Sequence, residues 1–319
     1  MFSIIGNGHW GTALAYYLSQ QYPVELIGRR CKESLYNQVD IPQKTSWEQA
    51  SYDHLIYAGP TIAAKSILKP ILSGDYKPSS CIIASKGLIE DEQGLIITLP
   101  DFASNYLKRV ALISGPSFAN ELLDNKPTFL MDATTDATLA NDLDTWFNHE
   151  PIHFSQSDDC LGVAFTGAFK NPIAILIGYV DALLMSANMR FALITSVNQV
   201  LANLLLKIGA NPSTAYSIAG QGDLFMTCSI DISRNRQMGQ LLAQGYSVDV
   251  AQTKIGSIVE GIASLKHLLA YCKQKKIHVP LFEFINDLIA GKIEKKVVFE
   301  RLIALIENPA IKNLQNLDV

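Results

Sequence analysis

The chain has 319 residues, of which 48% are hydrophobic and 18% are charged, and its formal net charge is -4. This length exceeds that of one ordinary domain and predicts two domains. The hydrophobic content supplies a sizeable core and excludes a globally disordered protein. A mildly acidic chain has no overall attraction for nucleic acid or anionic lipid, so we expect neither as a partner.

The cysteines and the apolar runs indicate the compartment. The 5 cysteines are scattered and include no CxxC pair, so we expect neither a disulfide framework nor a metal site. No basic leader precedes the first apolar run, and the longest apolar run, residues 173–180, is too short to span a bilayer. We therefore predict a cytoplasmic protein without membrane insertion, and leave a homodimer open.

In the first half of the chain, short apolar runs alternate with helical patterns. The runs are mostly continuous rather than alternating, as expected for strands that are covered on both faces. Strand, helix, strand in sequence predicts a mostly parallel, Rossmann-like sheet with right-handed crossovers. The predicted strands span residues 2–5, 24–27, 55–58, 81–84, 110–113, 128–131 and 152–154, and the predicted helices include residues 12–21, 62–72 and 137–147.

The second half shows only helical spacing. Apolar positions recur with a helical period over residues 161–184, 189–208, 236–243, 259–275 and 282–307. The predicted fold class is therefore α/β, with an N-terminal dinucleotide-binding domain followed by an all-α domain. The polar stretch that follows the last predicted strand sets the expected boundary, which gives domains of residues 1–156 and 157–319.

A glycine-rich segment, Gly6-Asn7-Gly8-His9-Trp10-Gly11, follows the first predicted strand and opens the first predicted helix. Its three glycines permit a tight turn, close approach of the backbone to a pyrophosphate, and close packing of helix on strand. The helix N-terminus adds free N–H groups and a partial positive charge. The segment predicts a dinucleotide-binding loop; a glycine-rich turn without a ligand is the alternative.

The end of the second predicted strand indicates which dinucleotide is bound. The strand is followed by Gly28-Arg29-Arg30, and its only acidic residue, Glu25, lies inside the strand, where it is badly placed to bind a ribose hydroxyl. Guanidinium groups form forked, charge-assisted hydrogen bonds to phosphate. We therefore predict that Arg29 and Arg30 contact a 2′-phosphate and that NADPH is preferred over NADH. Two solvated surface arginines are the alternative.

Further segments carry the motifs of one family, in its order and near its spacing. They read GNGHWGTALA, ASKGL, ISGPSFA, GAFKNPIAI, AGQGDLFMTC, SRN and VEG, and they start at residues 6, 84, 113, 167, 219, 233 and 259. With them the chain resembles the bacterial NAD(P)-dependent glycerol-3-phosphate dehydrogenases over most of its length. The resemblance implies the reversible reduction of dihydroxyacetone phosphate to sn-glycerol 3-phosphate, the backbone for phospholipid synthesis.

Two residues are the expected catalytic pair. Lys170 lies inside an apolar helical pattern, and a buried ammonium group needs a partner. The resemblance implies that Lys170 is the acid–base group, which protonates the forming C2 alkoxide on reduction, and that Asp223 contacts the substrate. A lysine whose ammonium reaches water and an aspartate that caps a helix are the alternatives.

The segment Ser233-Arg234-Asn235 precedes a predicted helix. With Ser233 as the N-cap, the helix N-terminus and its two neighbouring side chains form a ready site for the substrate phosphate. The resemblance implies that all three residues contact the substrate and that Arg234 also reaches the cofactor. Plain helix capping, with Arg234 and Arg236 solvated, is the alternative.

The remaining site residues follow mainly from the resemblance. Lys86 comes after a predicted strand, at a carboxyl end where open α/β sheets bind ligands, and it is expected to contact substrate and cofactor. A proline turn without a ligand is the alternative for residues 115–119. The resemblance implies further substrate contacts at Gly115 and Ser117, and further cofactor contacts at His9, Trp10, Ala119, Ile258 and Glu260.

Two other functions would fit a two-domain cofactor-binding chain. One is a related NADP-dependent reductase of another small hydroxy acid, whose carboxylate substrate would not require a phosphate site at residues 233–235. The other is an NADPH-binding regulator without catalysis. A regulator needs no proton donor, so the presence of Lys86, Lys170, Asp223 and Arg234 argues against it.

Overall fold

The structure, a computed structural model, describes residues 1–29, 41–50, 52–75, 77–183 and 186–307. The chain divides into two compact units, residues 1–164 and residues 165–319.

The described part of the first unit contains ten strands and a large sheet. The strands are β1 (Phe2–Ile5), β2 (Val24–Ile27), β3 (Gln43–Lys44), β4 (His54–Tyr57), β5 (Ser80–Ile83), β6 (Leu88–Glu90), β7 (Ile96–Thr98), β8 (Val110–Ser114), β9 (Thr128–Ala133) and β10 (Ile152–Ser157). Eight of them form one sheet in the order β10-β9-β8-β5-β4-β1-β2-β3, and β6 and β7 form an antiparallel hairpin.

Helices lie between these strands and make up the rest of the described fold. Those of the first unit are α1 (His9–Ser19), α2 (Thr61–Ser73), α3 (Leu99–Ser104), α4 (Ala119–Leu123) and α5 (Ala137–Phe147). In the described residues from 160 to 307 the regular elements are helices, with α6 (Cys160–Ala182), α7 (Ala187–Lys207), α8 (Asp223–Ser229), α9 (Arg234–Ala243), α10 (Val248–Ile255), α11 (Glu260–Gln274), α12 (Pro280–Ile289) and α13 (Lys295–Glu307).

The sheet is mostly parallel, as predicted, and the fold class is confirmed. In the large sheet the six adjacent strands β3, β2, β1, β4, β5 and β8 all run in one direction. The next pair, β8 and β9, is antiparallel, with Ile113 opposite Asp132. β9 and β10 are parallel to each other. The connection from β8 to β9 holds only the five-residue helix α4, and a parallel return normally needs a longer crossover helix.

The core of the first unit is built on the strand β1 and the helix α1. Ile4, Leu14 and Leu18 are completely buried, which explains why the first strand is a continuous apolar run. The Tyr17 hydroxyl donates a hydrogen bond to the Phe147 carbonyl oxygen at 2.6 Å. This bond joins the C-terminal part of α1 to the end of α5.

The helix α6 is the core helix of the second part of the chain. Both α6 and α7 are long and apolar enough to cross a membrane by length and composition, a property that an inspection of uninterrupted apolar runs misses. In the most apolar window of α6, 89% of the residues are buried inside the protein, against 50% for α7. The Phe165 ring meets Tyr271 at 4.6 Å, and the Phe169 ring meets Phe282 at 5.7 Å. Packing against α11 and α12 therefore accounts for the apolar character of α6.

Several elements differ from the prediction. The single helix predicted over residues 282–307 is wrong: α12 and α13 are separate, and the break contains Gly291 with φ +68°, a conformation that favours glycine. The elements β3, β6, β7, α3, α4, α8 and α10 were not predicted. Each is at most eight residues long, too short for a hydrophobic period to stand out.

Candidate active site

In the turn between β1 and α1, backbone packing by itself requires glycine at two of the three glycine positions. Gly6 has φ +118°, and a Cβ atom there would lie 2.5 Å from the carbonyl carbon and oxygen of Ala58. A Cβ atom on Gly11 would lie 1.8 Å from the Gly6 carbonyl oxygen. Neither position can hold a side chain without moving the backbone, so these glycines let α1 begin directly at the carboxyl edge of the sheet.

The third glycine, Gly8, has no such role in the fold. It is the N-cap of α1 with φ -73°, and a Cβ atom there would meet no heavy atom within 4 Å. The first N–H groups of an α-helix have no acceptor within the helix. An open space therefore lies in front of unsatisfied donors at a helix N-terminus, which fits the pyrophosphate of a dinucleotide. Of the two side chains that follow Gly8, His9 is exposed, and Trp10 packs against the core of the first unit.

This difference between the glycines predicts a separable effect on cofactor binding. Gly8→Ala is expected to weaken NADPH binding by about tenfold or more, because the methyl group enters the space through which the pyrophosphate approaches the backbone. Its effect on stability should stay within about 1 kcal/mol, the usual range for a helix N-cap. Titration of NADPH fluorescence together with thermal unfolding would check this. The matched variant Gly6→Ala should instead lower Tm, and unchanged NADPH affinity in Gly8→Ala would contradict the assignment.

The carboxyl end of β2 presents Arg29 to solvent, and Arg30 lies outside the described residues. Glu25 is only 3% exposed: it accepts a hydrogen bond from Ser3 Oγ at 2.5 Å and pairs with Lys44 Nζ at 2.5 Å. The Glu25 carboxylate is thus bound by Ser3 and Lys44 within the sheet. This agrees with the interpretation that Glu25 is badly placed to bind a ribose.

The structure brings three predicted substrate residues together around one carbonyl group. Lys86 and Gly115 follow the neighbouring parallel strands β5 and β8. Lys86 Nζ donates to the Gly115 carbonyl oxygen at 3.1 Å, and Ser117 Oγ donates to the same oxygen at 3.1 Å. Ala119, half-buried, is the first residue of α4. A half-buried ammonium group therefore stands at the carboxyl edge of the sheet, where a ligand anion could replace the carbonyl as its partner.

Lys170 has the partner that its burial requires. Its Nζ atom lies 2.5 Å from Asp223 Oδ1 and 3.0 Å from Thr227 Oγ1, and the residues Lys170 and Asp223 are 8% and 0% exposed. The ammonium group is thus fixed by a buried carboxylate, so the alternative of a lysine that reaches into water is wrong. Thr227 was missed, although it follows Asp223 by four residues on α8 and so shares its helix face.

The approach to Asp223 is a tight backbone turn. Residues 218–222 form one turn of π-helix, a conformation that is frequent at functional sites, and α8 begins at Asp223 with Gly222 as its N-cap. A Cβ atom on Gly220 would lie 2.3 Å from the Thr214 carbonyl oxygen. Asp223 therefore does not occupy the N-cap position, and the alternative that it caps the helix is wrong.

The segment of residues 233–235 opens a helix, as predicted. Ser233 is the N-cap of α9 and accepts a hydrogen bond from the Arg236 N–H at 3.4 Å. Arg234 is exposed and donates from Nη1 to the Ile258 carbonyl oxygen at 3.5 Å. An exposed guanidinium group beside a helix N-terminus suits a phosphate.

Asn235 joins the start of α9 to two other helices, α6 and α11. It is 9% exposed and donates from Nδ2 to Asn171 Oδ1 at 3.1 Å, and its Oδ1 accepts from the Gly261 N–H at 2.9 Å. Because Asn171 and Asn235 are the chain neighbours of Lys170 and Arg234, this bond ties the proposed proton donor to the proposed phosphate site.

Two further expectations concern side chains near these helix ends. Arg236 is 2% exposed and pairs with two aspartates, so the alternative that it is solvated is wrong. Ile258 is 54% exposed, and Glu260 is the exposed first residue of α11. Both lie at the N-terminus of α11, close in sequence to the Gly261 N–H that binds Asn235.

Comparisons with known proteins show which family the chain belongs to. Models of the NAD-dependent glycerol-3-phosphate dehydrogenase N-terminus and C-terminus match residues 35–140 and 159–300. The chain is 31% identical over 307 residues to a glycerol-3-phosphate dehydrogenase [NAD(P)+] of Halorhodospira halophila, covering 91% of this chain and 92% of that protein. It is 35% identical over 311 residues to the protein of the same name from Serratia proteamaculans, with 90% of each chain covered.

A solved structure supports the same assignment. The crystal structure of a glycerol-3-phosphate dehydrogenase from Coxiella burnetii superposes with a TM-score of 0.85 at 26% identity, covering 96% of this chain and 98% of that one. The resemblance that the sequence motifs indicated is thus confirmed. The chain belongs to the NAD-dependent glycerol-3-phosphate dehydrogenase family.

Proposed function

We propose that the protein interconverts dihydroxyacetone phosphate and sn-glycerol 3-phosphate with NADPH as the preferred cofactor and Lys170 as the acid–base group. Membership of the family makes it an NAD(P)-dependent oxidoreductase of this class. The observation that supports the mechanism most directly is the buried contact of Lys170 with Asp223 and Thr227.

The bound nicotinamide supplies or accepts the hydride at C2 of the substrate. An ammonium group has three N–H donors, of which Asp223 and Thr227 take two, so one remains for a substrate oxygen. On reduction, the Lys170 ammonium donates a proton to the oxygen of the carbonyl that receives the hydride, and the resulting amine regains a proton from water. On oxidation the neutral amine takes the hydroxyl proton. Asp223 holds the group in place.

The phosphate end of the substrate would be held by positive charge and a helix N-terminus. Arg234 supplies an exposed guanidinium group and α9 supplies N–H groups, with Asn235 fixing the orientation of the first turn. Lys86, with Gly115 and Ser117, is assigned to substrate contact because it offers an ammonium group at the carboxyl edge of the sheet. Ser233 would contribute to the substrate site as the N-cap of α9, where its hydroxyl oxygen accepts from the Arg236 N–H.

The cofactor assignments rest on the loop and on its neighbours. The open space at Gly8 supports a pyrophosphate site, and the exposed Arg29 supports the preference for NADPH. Residues 1–156 would form the dinucleotide-binding domain and residues 157–319 the helical domain, in a cytoplasmic enzyme that supplies phospholipid synthesis. The remaining cofactor contacts are proposed at Gly6, His9, Trp10, Gly11, Arg30, Lys86, Ala119, Arg234, Ile258 and Glu260.

An optical assay of NADPH and NADH oxidation tests the function. Dihydroxyacetone phosphate is expected to be reduced at a far higher kcat/KM than unphosphorylated dihydroxyacetone, and NADPH to be the better donor. A 2-oxo acid serves as the third substrate. A faster reaction with the oxo acid would favour a hydroxyacid reductase, and NADPH binding without turnover of any substrate would favour a regulator.

A further inference from the structure

A buried ion network lies beside the proposed phosphate site and has no part in the mechanism above. Arg236 pairs through Nη2 with Asp181 Oδ2 at 2.6 Å and through Nη1 with Asp231 Oδ1 at 2.7 Å. The side chain of Arg236 is 3% exposed and that of Asp181 is 7% exposed. Arg190 completes the network with a 2.7 Å contact to Asp181 Oδ1. Burying two charged side chains, Arg236 and Asp181, is costly unless they are well paired, so this arrangement calls for a structural or functional explanation.

The network acts on the first turn of α9. Arg236 follows Arg234 and Asn235 directly, and its N–H is the donor that Ser233 caps. One end of its guanidinium group reaches α6 through Asp181, and the other reaches the segment before α9 through Asp231. The first turn of the helix is therefore held from both sides by one side chain.

The backbones of α6 and α9 also touch. A Cβ atom on Gly178 would lie 2.1 Å from the Arg236 carbonyl oxygen, and one on Gly239 would lie 1.9 Å from the Ile175 carbonyl oxygen. Asn235 bonds to Asn171, near the middle of α6, whereas Arg236 bonds to Asp181, near its end. Two side chains thus fix the N-terminus of α9 against α6 at separate points.

We propose that Arg236 is a positioning residue that holds Arg234 and Asn235 in the geometry that receives the substrate phosphate. This inference rests on the proposed function of residues 233–235. Arg236 would act through its neighbours, because its two Nη atoms pair with Asp181 and Asp231 and its side chain is only 3% exposed. A displacement of a binding group by about 1 Å can lower a rate by about 10²-fold, so holding this turn still matters for catalysis.

Two variants of the network test the proposal. Asp231→Asn weakens one anchor at a side chain that is 89% exposed, so the fold should survive. Arg236→Lys keeps the positive charge but cannot fork to both aspartates. We expect kcat/KM for dihydroxyacetone phosphate to fall about threefold to tenfold in Asp231→Asn and about tenfold to 100-fold in Arg236→Lys. The matched control Arg190→Lys perturbs the same Asp181 from α7 and should stay within about twofold of the parent.

A double-mutant cycle separates positioning from general damage to the fold. In an Arg234→Ala background, Asp231→Asn and Arg236→Lys should each lower kcat/KM by a clearly smaller factor than in the parent, because one of the two groups that they position is gone. If Arg236→Lys does not fold, Asp231→Asn alone carries the cycle. Two outcomes would overturn the positioning role and leave the proposed function standing. One is a loss of kcat/KM by the same factor in both backgrounds. The other is full activity of Asp231→Asn and Arg236→Lys when Arg234→Ala is impaired. Full activity of Arg234→Ala itself would refute the phosphate site and the positioning role together.

Discussion

Replacing Lys170 by alanine is expected to lower kcat by about 10²- to 10⁴-fold, the usual loss when a general acid is removed. The alkoxide that forms at C2 then has no positioned proton donor, whereas the glycine loop that would bind the cofactor is untouched. Steady-state kinetics with saturating NADPH and dihydroxyacetone phosphate would measure the change. An exposed lysine in the last turn of α7, Lys207, offers the matched control, and Lys207→Ala should leave kcat unchanged.

The experiment also needs a control for the stability that Lys170→Ala loses. Asp223 is completely buried, and the loss of its cationic partner leaves a carboxylate without compensation, which typically costs about 3–5 kcal/mol. The double variant Lys170→Met/Asp223→Asn removes both charges and should recover much of the lost Tm. Its kcat should stay low, because stability returns without a proton donor. Near-normal turnover in either folded variant would exclude Lys170 as the acid–base group.

The sequence locates Lys170 but cannot identify its partner. A lysine inside an apolar helix is expected to have a negatively charged partner. The sequence does not show which one, because Asp223 lies 53 positions away and several other carboxylates are as close in sequence. Only the tertiary fold, which brings α8 next to α6, selects Asp223 and adds Thr227 as partners of Lys170. Burial of a single charge is therefore predictable, whereas the pairing is a property of the tertiary fold.

The two arginines of α9 show the same limit at closer range. Arg234 and Arg236 lie in one helical turn, and apart from the family resemblance the sequence gives no physical reason to treat them differently. In the structure one is exposed and the other is 2% exposed, because they project from different sides of the helix and only one side faces α6. The direction of each side chain depends on how α9 packs on α6, which Gly178 and Gly239 permit.

The glycine loop is the opposite case, since the local sequence was enough to predict its strand, turn and helix. Its strand, its three glycines and its helix follow one another directly, so their order can be predicted without knowing any long-range contact. The sheet direction was harder to predict: β9 and β10 are apolar enough to be found, but whether they run with or against β8 depends on the short connection through α4. Short linkers and hairpins carry little periodic signal, and their geometry decides the topology.

Replacing Arg234 by alanine is expected to lower kcat/KM for dihydroxyacetone phosphate by about 10- to 100-fold, the loss of one charge-assisted, hydrogen-bonded contact to phosphate. Because phosphate binding energy also aligns the reacting carbonyl, we expect kcat to fall and not only KM to rise. The loss should be much smaller for unphosphorylated dihydroxyacetone, since that substrate makes no contact with the guanidinium group.

The structure makes Arg234 a favourable position for this test. The guanidinium group is exposed, and its hydrogen bond to Ile258 is long, at 3.5 Å, so Tm should change little. Arg301, exposed on α13, gives a matched Arg→Ala control for the change in net charge, which by itself alters the attraction of an anionic substrate. If Arg234→Ala and Arg301→Ala lower kcat/KM by the same factor, the effect is one of overall charge and Arg234 has no place at the phosphate. A loss specific to Arg234 and to the phosphorylated ketone requires direct contact, because long-range attraction acts on any anion from either position.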